Sequence, residues 1–304
     1  MPITKGHSWL FLSMAFPAVI WLRSAAPPYG VRGHWVGTVW LRPSVRVCID
    51  VVDQMTFKQR IGQWLIPKLP INRELFTELR FEANSWACEM RNWISPSYHR
   101  EVARLRGLKG LSLNIGSGGR GLAGWVNTDA VRHPGDQSFP CDVRRTLPFA
   151  DDSVARILAE HVVEHLNFKL ELPRVLGEFL RVLEPGGMLR IIVPDGRRFV
   201  EAYLANDSAH WGPLGVNALP LDMPTPMAML NHVFHQGGEH HFAYDFETLQ
   251  WALRTAGFAD VRQASFGVSA DPLLAIDRSE HAAYSLYVEA MKPREVSGGE
   301  RGRQ

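Results

Sequence analysis

The sequence predicts an α/β fold built on a doubly wound, mostly parallel sheet, and two patterns support this prediction. Strand-like and helical segments alternate from Leu111 onward, as in successive βαβ units. The segment from Met188 to Val193 is almost continuously apolar, as expected of a strand buried on both faces of a parallel sheet. We therefore expect residues 109–292 to form one α/β domain, with an antiparallel strand late in the chain.

The composition is that of an ordinary globular protein. The chain has 304 residues, of which 46% are hydrophobic and 21% charged, so it can bury a core. A net charge of +2 is too small to indicate nucleic acid or an anionic membrane surface as a partner. The cysteines Cys48, Cys88 and Cys141 show no CxxC spacing, which favours a reducing, cytoplasmic compartment over disulfides or a zinc site.

The first 54 residues show no steady hydrophobic period, and we expect a poorly structured extension there. The apolar run from Trp9 to Leu22 is shorter than the about 20 residues that a membrane span needs. Arg23 also stands where a signal-peptide cleavage site requires small, uncharged residues. Met55 opens an amphipathic segment, so a translation start at Met55 and an apolar leader are both open interpretations.

Three further segments follow from pattern alone. Residues 55–108 carry apolar positions at helical spacing and are expected to be helical. Residues 206–240 are rich in proline and fit no period, so we expect an insertion over the carboxyl edge of the sheet, where such folds bind ligands. Residues 293–304 are polar and glycine-rich and are expected to be disordered.

The α/β domain is expected to contain six strands and two well-defined helices. The strands are Leu111–Ile115, Trp125–Asp129, Val154–Ala159, Met188–Val193, Phe258–Phe266 and Ala283–Met291. The helices are Pro173–Leu183 and Phe246–Ala256, the latter with Asp245 as its N-cap and Gly257 as its stop.

A glycine-rich bend follows the first of these strands. Gly116, Ser117 and Gly118 let the backbone turn sharply, so that its N–H groups can face the polar end of a ligand. Together with Gly121 they spell GxGxxG, although a plain glycine turn is the alternative. Asp129 ends the next strand and could accept hydrogen bonds from a ribose diol. It follows Gly121 much sooner than the about 20 residues of a dinucleotide fold, which argues against a nicotinamide dehydrogenase.

The block from Leu147 to Leu166, followed by Leu183–Gly187, resembles the class I S-adenosylmethionine-dependent methyltransferases of the "type 11" methyltransferase-domain group. The opening Leu113–Gly118 with Gly124–Asp129 is more similar still to a bacterial subgroup of these enzymes. The resemblance covers residues 111–261 and depends on the ordered combination of motifs. It implies a Rossmann-like fold and S-adenosylmethionine as the cofactor.

The resemblance also implies a cofactor role for eight residues. Gly116, Ser117 and Gly118 would line the methionine and ribose end, and Asp129 would hold the ribose hydroxyls. The remaining four are the adenine pair Asp142 and Val143 and the methionine-facing pair Glu160 and His161. Without that context, Asp142 would be interpreted as a loop aspartate that caps a turn.

Transfer of a methyl group to an oxygen or nitrogen acceptor can require a general base, and three side chains are candidates for that base. They are His161, Asp195 and His241. Asp195 ends an apolar strand at the functional edge of the sheet, although it could equally be the N-cap of a helix starting at Gly196.

The connections from Gly116 to Asp129 and from Asp129 to Asp142 hardly exceed the about 10–12 residues that a crossover with its helix needs. We therefore expect the first two crossover helices to be shortened or lost. The helical region 56–108 is expected to cover the sheet face that they leave exposed.

Histidines cluster between Asn231 and Tyr244, and two interpretations are open. A metal could be bound by His232, His235, His240 and His241 with Glu239. We favour a substrate-facing loop without a metal, because loop spacing does not fix ligand geometry. His161 and His165 lie four residues apart, but the chain has no HExxH motif there.

The predicted function is methyl transfer from S-adenosylmethionine to an unidentified acceptor, a small molecule or the sugar of a glycan, by O- or N-methylation. One alternative is a non-catalytic module that binds S-adenosylmethionine. A weaker one is an NAD(P)-dependent oxidoreductase that uses the GxGxxG string. We expect neither a nucleic-acid partner nor a membrane span, and the pattern does not predict the oligomeric state.

Overall fold

The computed structural model describes residues 73–131, 138–205 and 225–294, together with four short strands before residue 51. The chain divides into two compact units, Met1–Pro70 and Ile71–Gln304. In the first unit, β1 and β2 form one antiparallel pair and β3 and β4 another; their bounds are Trp9–Leu12, Ile20–Arg23, Trp35–Arg42 and Val45–Asp50. We expected little regular structure there, and the domain boundary at residue 54 stays a prediction.

The second unit contains a seven-stranded sheet in the order β10-β11-β9-β8-β5-β6-β7. Its strands are β5 (Leu111–Ile115), β6 (Val126–Asp129), β7 (Phe139–Pro140), β8 (Val154–Glu160), β9 (Leu183–Pro194), β10 (Ala259–Ala264) and β11 (Ser285–Met291). The five adjacent strands β7, β6, β5, β8 and β9 are parallel to one another. Strand β11 is antiparallel to both of its neighbours, β9 and β10. The mostly parallel sheet with an antiparallel late strand is therefore confirmed.

Six α-helices are described in this unit. They are α1 (Arg73–Ile94), α2 (Pro96–Arg106), α3 (Leu172–Val182), α4 (Gly196–Ala205), α5 (Pro226–His235) and α6 (Phe246–Ala256). The caps predicted for α6 are present, since the Asp245 side chain accepts the Thr248 N–H at 2.9 Å and Gly257 ends the helix at φ +103°. No helix among the described residues is long and apolar enough to cross a membrane.

One face of the sheet is covered by helices. Leu113, Ile157 and Ile191 point to this face and pack with apolar side chains of α2, α3 and α6 in one buried cluster. Leu105 of α2 belongs to that cluster and is 1% exposed. The N-terminal helical region is therefore attached to the sheet, but on the face that α3 and α6 already cover. Our expectation that it covers the opposite face is wrong.

The opposite face receives no helix from the β5–β6 connection, which is described throughout. The side chain of Asn127 braces this loop instead: its Oδ1 accepts from Leu122 N at 2.7 Å and from Asn114 Nδ2 at 2.9 Å, and its Nδ2 donates to Leu122 O at 3.0 Å. Loss of the first crossover helix is thereby confirmed. The second connection includes residues 132–137, which lie outside the described residues.

A buried arginine holds a second loop against this face. Arg190 of β9 is fully buried, and its guanidinium donates to the Asp277 carboxylate, to Glu289 Oε1 and to the carbonyls of Ser265 and Val268, over 2.5–3.1 Å. All five N–H donors of the guanidinium are used, which is the condition under which a buried charge is tolerated. The loop 265–281 thus replaces a helix as the cover of this face.

Replacing Arg190 should destabilise the fold strongly, because the buried Asp277 would lose its cationic partner and Glu289 would keep only Arg262. We expect Arg190→Met to lower the free energy of unfolding by about 3–5 kcal/mol, measured by urea denaturation. The matched control is Arg197→Met, which removes an exposed i,i+4 pair with Glu201 and should cost about 0.3–0.5 kcal/mol. Equal losses in the two variants would contradict this interpretation of the network.

Candidate active site at the carboxyl edge of the sheet

The carboxyl ends of the five parallel strands meet at one edge of the sheet, where such folds bind ligands. Each predicted site segment directly follows one of these strands. They are Gly116–Gly118 after β5, Asp129 at the end of β6, Asp142–Val143 after β7, Glu160–His161 at the end of β8 and Asp195 after β9. The topology therefore brings to one edge the segments that the sequence singled out.

The bend after β5 needs glycine at its first position. Gly116 has φ +64°, and a Cβ there would lie 2.5 Å from Cγ2 of Val162. Gly118 also has a positive φ, of +59°, and a Cβ there would meet nothing closer than 3.9 Å. The bend is tied to β6 by the Ser117 N–H, which donates to Thr128 O at 3.0 Å. The space that a Cβ of Gly118 would occupy is thus free of described side chains.

Asp129 fixes this bend from the neighbouring strand. Its Oδ2 accepts the Gly118 N–H at 2.8 Å, and its Oδ1 accepts the Val131 N–H at 2.8 Å. An ionised carboxylate is a hydrogen-bond acceptor of the kind that the hydroxyls of a ribose require. Ser117 Oγ is buried and has no hydrogen-bond partner among the described residues. These features fit the sugar end of an adenosyl group.

Asp142 has partners in the protein that the sequence did not reveal. It is 5% exposed and bonds Arg144 through both the backbone N–H, at 2.9 Å, and the guanidinium, and it accepts the hydroxyl of Ser85 in α1. Burial alone would raise the pKa of Asp142, but the bonds from Arg144 and Ser85 hold it below its usual range. The turn-capping interpretation therefore has direct support, while Val143 packs against the core beside it.

Glu160 is engaged by the segment that precedes β11. Its Oε2 lies 2.8 Å from Arg278 Nε, and its Oε1 lies 3.2 Å from His281 Nδ1. No pattern in the sequence pointed to Arg278 or His281, because they are about 120 residues away and belong to no motif. Glu160 therefore holds the segment that precedes β11 against the end of β8.

His161 occupies a strained position at the end of β8. Its φ is +54°, a left-handed conformation that non-glycine residues rarely adopt, and such strain concentrates at functional sites. Its Nδ1 lies 2.9 Å from Glu164 Oε1, and its Nε2 lies 3.3 Å from Ser285 Oγ. The His281 ring packs edge-on against it at a centroid distance of 4.1 Å. Glu164, Ser285 and His281 are functional candidates that sequence reasoning missed.

Asp195 lies on the same edge, next to the start of α4. It is 5% exposed, accepts backbone N–H groups of Arg197 and Arg198, and has its Oδ2 3.2 Å from Arg198 Nε. Burial raises the pKa of Asp195, and Arg198 opposes that effect. The N-cap interpretation describes these contacts directly. The third candidate base, His241, is exposed, and its backbone N–H donates to Glu164 O at 2.8 Å.

The insertion is more regular than the sequence indicated. Residues 206–224 lie outside the described residues, but α5 begins after the N-cap Thr225 and ends at His235. Met229 and Val233 of α5 are buried against α4. Met229 and Val233 therefore have the spacing of an amphipathic helix, which the surrounding prolines obscured in the sequence. The following chain returns to the sheet edge, where Tyr244 pairs with Asp195.

Part of the α/β domain is similar to a known protein family. Residues 126–191 match the model of a family described as "Methyltransferase domain". The match includes β6 to most of β9, and with them Asp129, Asp142 and His161. Residues 126–191 are thus similar to a methyltransferase domain, which is the activity that the sequence predicted. No curated protein matches the sequence.

Solved structures with a similar fold include several methyltransferases. A SAM-dependent methyltransferase from Archaeoglobus fulgidus aligns over 66% of this chain and 94% of its own, at 15% identity and a TM-score of 0.38. A possible histamine N-methyltransferase from Thermotoga maritima aligns over 78% and 96%, at 16% identity and 0.36. Human N-acetylserotonin methyltransferase, in complex with SAM, aligns over 60% and 48%, at 14% identity and 0.36.

The steric demand at Gly116 can be separated from its backbone strain. Gly110 has a similar φ of +67° but open space around it, so it provides a matched control. We expect Gly110→Ala to cost about 1–2 kcal/mol of unfolding free energy for the left-handed backbone alone. Gly116→Ala should cost about 1–3 kcal/mol more, because the methyl group meets Val162. Thermal and urea unfolding measure both, and equal costs would exclude a close approach at Gly116.

Proposed function

We propose that the protein transfers the methyl group of S-adenosylmethionine to an oxygen or nitrogen of a small polar molecule or a glycan sugar. The position of His161 carries this proposal: an imidazole in a strained backbone conformation, between a buried carboxylate and a hydroxyl, at the end of the central strand. His281, Tyr284 and Ser285 surround it with polar and aromatic groups. Such a lining suits an acceptor that carries hydroxyl or amino groups.

The residues that would hold the donor are those of the bend and its neighbours. Gly116, Ser117 and Gly118 would lie along the methionine and ribose end, Asp129 would accept the ribose hydroxyls, and Val143 would contact the adenine. Bound S-adenosylmethionine supplies a methyl carbon on a positively charged sulfur, which is an excellent leaving group. The main task of the protein is therefore to align the acceptor, which can contribute about 7–11 kcal/mol.

In this proposal His161 removes a proton from the acceptor. The negative charge of the ionised Glu164 carboxylate lies 2.9 Å from His161 Nδ1 and therefore favours the tautomer with the proton on Nδ1, although the two groups are not aligned as a hydrogen bond. The lone pair of the neutral ring is then on Nε2, toward Ser285. Burial would raise the pKa of Glu164, but the interaction with His161 holds it below its usual range. Glu164 is thus a positioning residue that fixes the tautomer of the base.

The other two candidate bases have weaker support. The Asp195 carboxylate accepts the first N–H groups of α4 and pairs with Arg198, so it acts as the N-cap of that helix. His241 is exposed, and its backbone N–H rather than its ring contacts Glu164. We keep a cytoplasmic location in the proposal, because Cys88 and Cys141 are both free, buried thiols.

The proposal predicts different losses for two substitutions. Asp129→Ala should abolish binding of S-adenosylmethionine, because it removes both the anchor of the bend and the acceptor for the ribose. His161→Asn should retain binding, since asparagine tolerates the left-handed backbone, but should lower turnover about 10²–10⁴-fold. Binding is measured by calorimetry, and turnover as S-adenosylhomocysteine formed with a panel of amines, polyols and monosaccharides.

The matched control is His99→Asn, which changes an exposed histidine of α2 and should alter neither property. Full turnover in His161→Asn would exclude His161 as the base. Tight cofactor binding without turnover on any acceptor would favour the alternative of a non-catalytic binding module.

A further inference from the structure

A second cluster of chemistry-bearing side chains lies next to His161 but is not used in the proposed transfer. Glu164, His165 and His240 each direct one potential ligand atom to a common point, and these atoms lie within 4.8 Å of one another. Glu164 and His165 belong to a single 3₁₀ turn after β8, while His240 comes from the chain that returns after α5. The cluster therefore joins two segments that are distant in sequence.

Backbone carbonyls fix both imidazoles in the same tautomer. His165 Nδ1 lies 2.8 Å from Glu239 O, and His240 Nδ1 lies 2.7 Å from Val233 O. Since a carbonyl oxygen can only accept, each Nδ1 carries the proton, and the lone pair of each neutral ring is on Nε2. A hydrogen bond from the other ring nitrogen to a carbonyl is the usual outer-shell arrangement of histidines that bind a metal.

The third member is a buried carboxylate with unused capacity. Glu164 is 1% exposed, and neither of its oxygens has a hydrogen-bond partner of good geometry among the described residues. Its one close polar contact is the 2.9 Å approach of Oε1 to His161 Nδ1. Burying a carboxylate without hydrogen-bond partners destabilises the fold unless a nearby cation compensates its negative charge. The environment thus favours a positive charge beside Glu164.

We propose that Glu164, His165 and His240 bind one divalent transition-metal cation, with Zn²⁺ as the best fit. Two imidazoles and one carboxylate are ligands that zinc accepts at about 2.0–2.2 Å, in a tetrahedron whose corners stand about 3.3 Å apart. The three ligand atoms lie within 4.8 Å of one another and need to approach by up to about 1.5 Å to reach that spacing, and the fourth position remains for water or an acceptor.

This site goes beyond the proposed methyl transfer and can be tested without it. A cation there would fix the returning chain 239–244 against the end of β8 and would hold Glu164 in place for His161. The metal-free loop that we expected stays a prediction, and this proposal is an alternative to it. Of the loop residues considered, only His240 takes part, and its partners come from the β8 turn.

The test is metal binding by the full, untagged chain after removal of metals with EDTA. We expect one equivalent of Zn²⁺ to bind, measured by competition with a chromophoric chelator and by mass spectrometry of the metal content. His240→Ala should weaken binding by more than the about 10–100-fold that follows loss of an outer-shell hydrogen bond. His240→Cys should retain binding, because a thiolate replaces the imidazole. His235→Ala changes an exposed histidine of α5 and should bind as the parent does.

Circular dichroism of each metal-free variant shows whether the fold is kept, and the Cys variant provides the readout if the Ala variant fails to fold. Binding well below one equivalent, or equal binding by His240→Ala and His235→Ala, would overturn the metal site. S-adenosylmethionine binding measured on the same samples is a separate result. A chain that binds the nucleoside but no Zn²⁺ would lose this inference and retain the proposed function.

Discussion

The site depends on one local constraint, the glycine bend that follows β5. Val162 leaves no room for a Cβ at Gly116, and the Asp129 carboxylate holds the N–H of Gly118. The backbone can approach a ligand here because these two contacts fix the bend from both neighbouring strands. The carboxylates and histidines at the other strand ends are then brought to the same edge by the parallel sheet.

The short connection after this bend has consequences for the whole domain. With no crossover helix, the face of the sheet opposite α3 and α6 must be covered by loops, whose polar backbone needs partners. Asn127 supplies these for the first loop, and Arg190 supplies them for the loop 265–281. A buried cation on a central strand is an unusual solution. It is tolerated because each of its N–H groups has an acceptor.

The sequence predicted the features that depend on local pattern. Strand Leu111–Ile115, the caps of α6 and the strand-end positions of Asp129 and His161 follow from period, turn residues and motif order, and the structure confirms them. The contacts that specialise the site could not be predicted. The sequence assigned no role to Glu164, and Arg278 and His281 reach the edge only through the fold. Our prediction of the sheet face on which α2 packs was wrong for a related reason. The pattern of an amphipathic helix shows which of its own sides is buried, but it does not specify which face of the sheet that side covers.

Glu164 links the two proposals made for this edge. One oxygen faces His161, and the carboxylate also belongs to the cluster with His165 and His240, so the orientation of the base and the binding of a cation would share one buried side chain. The proposed methyl transfer also depends on the adenosyl site beside them. The most direct test of that site is calorimetry of the unmodified chain with S-adenosylmethionine, S-adenosylhomocysteine and NAD. The account predicts saturable binding of both sulfur nucleosides and none of NAD; binding of NAD alone, or of none of the three, would contradict it.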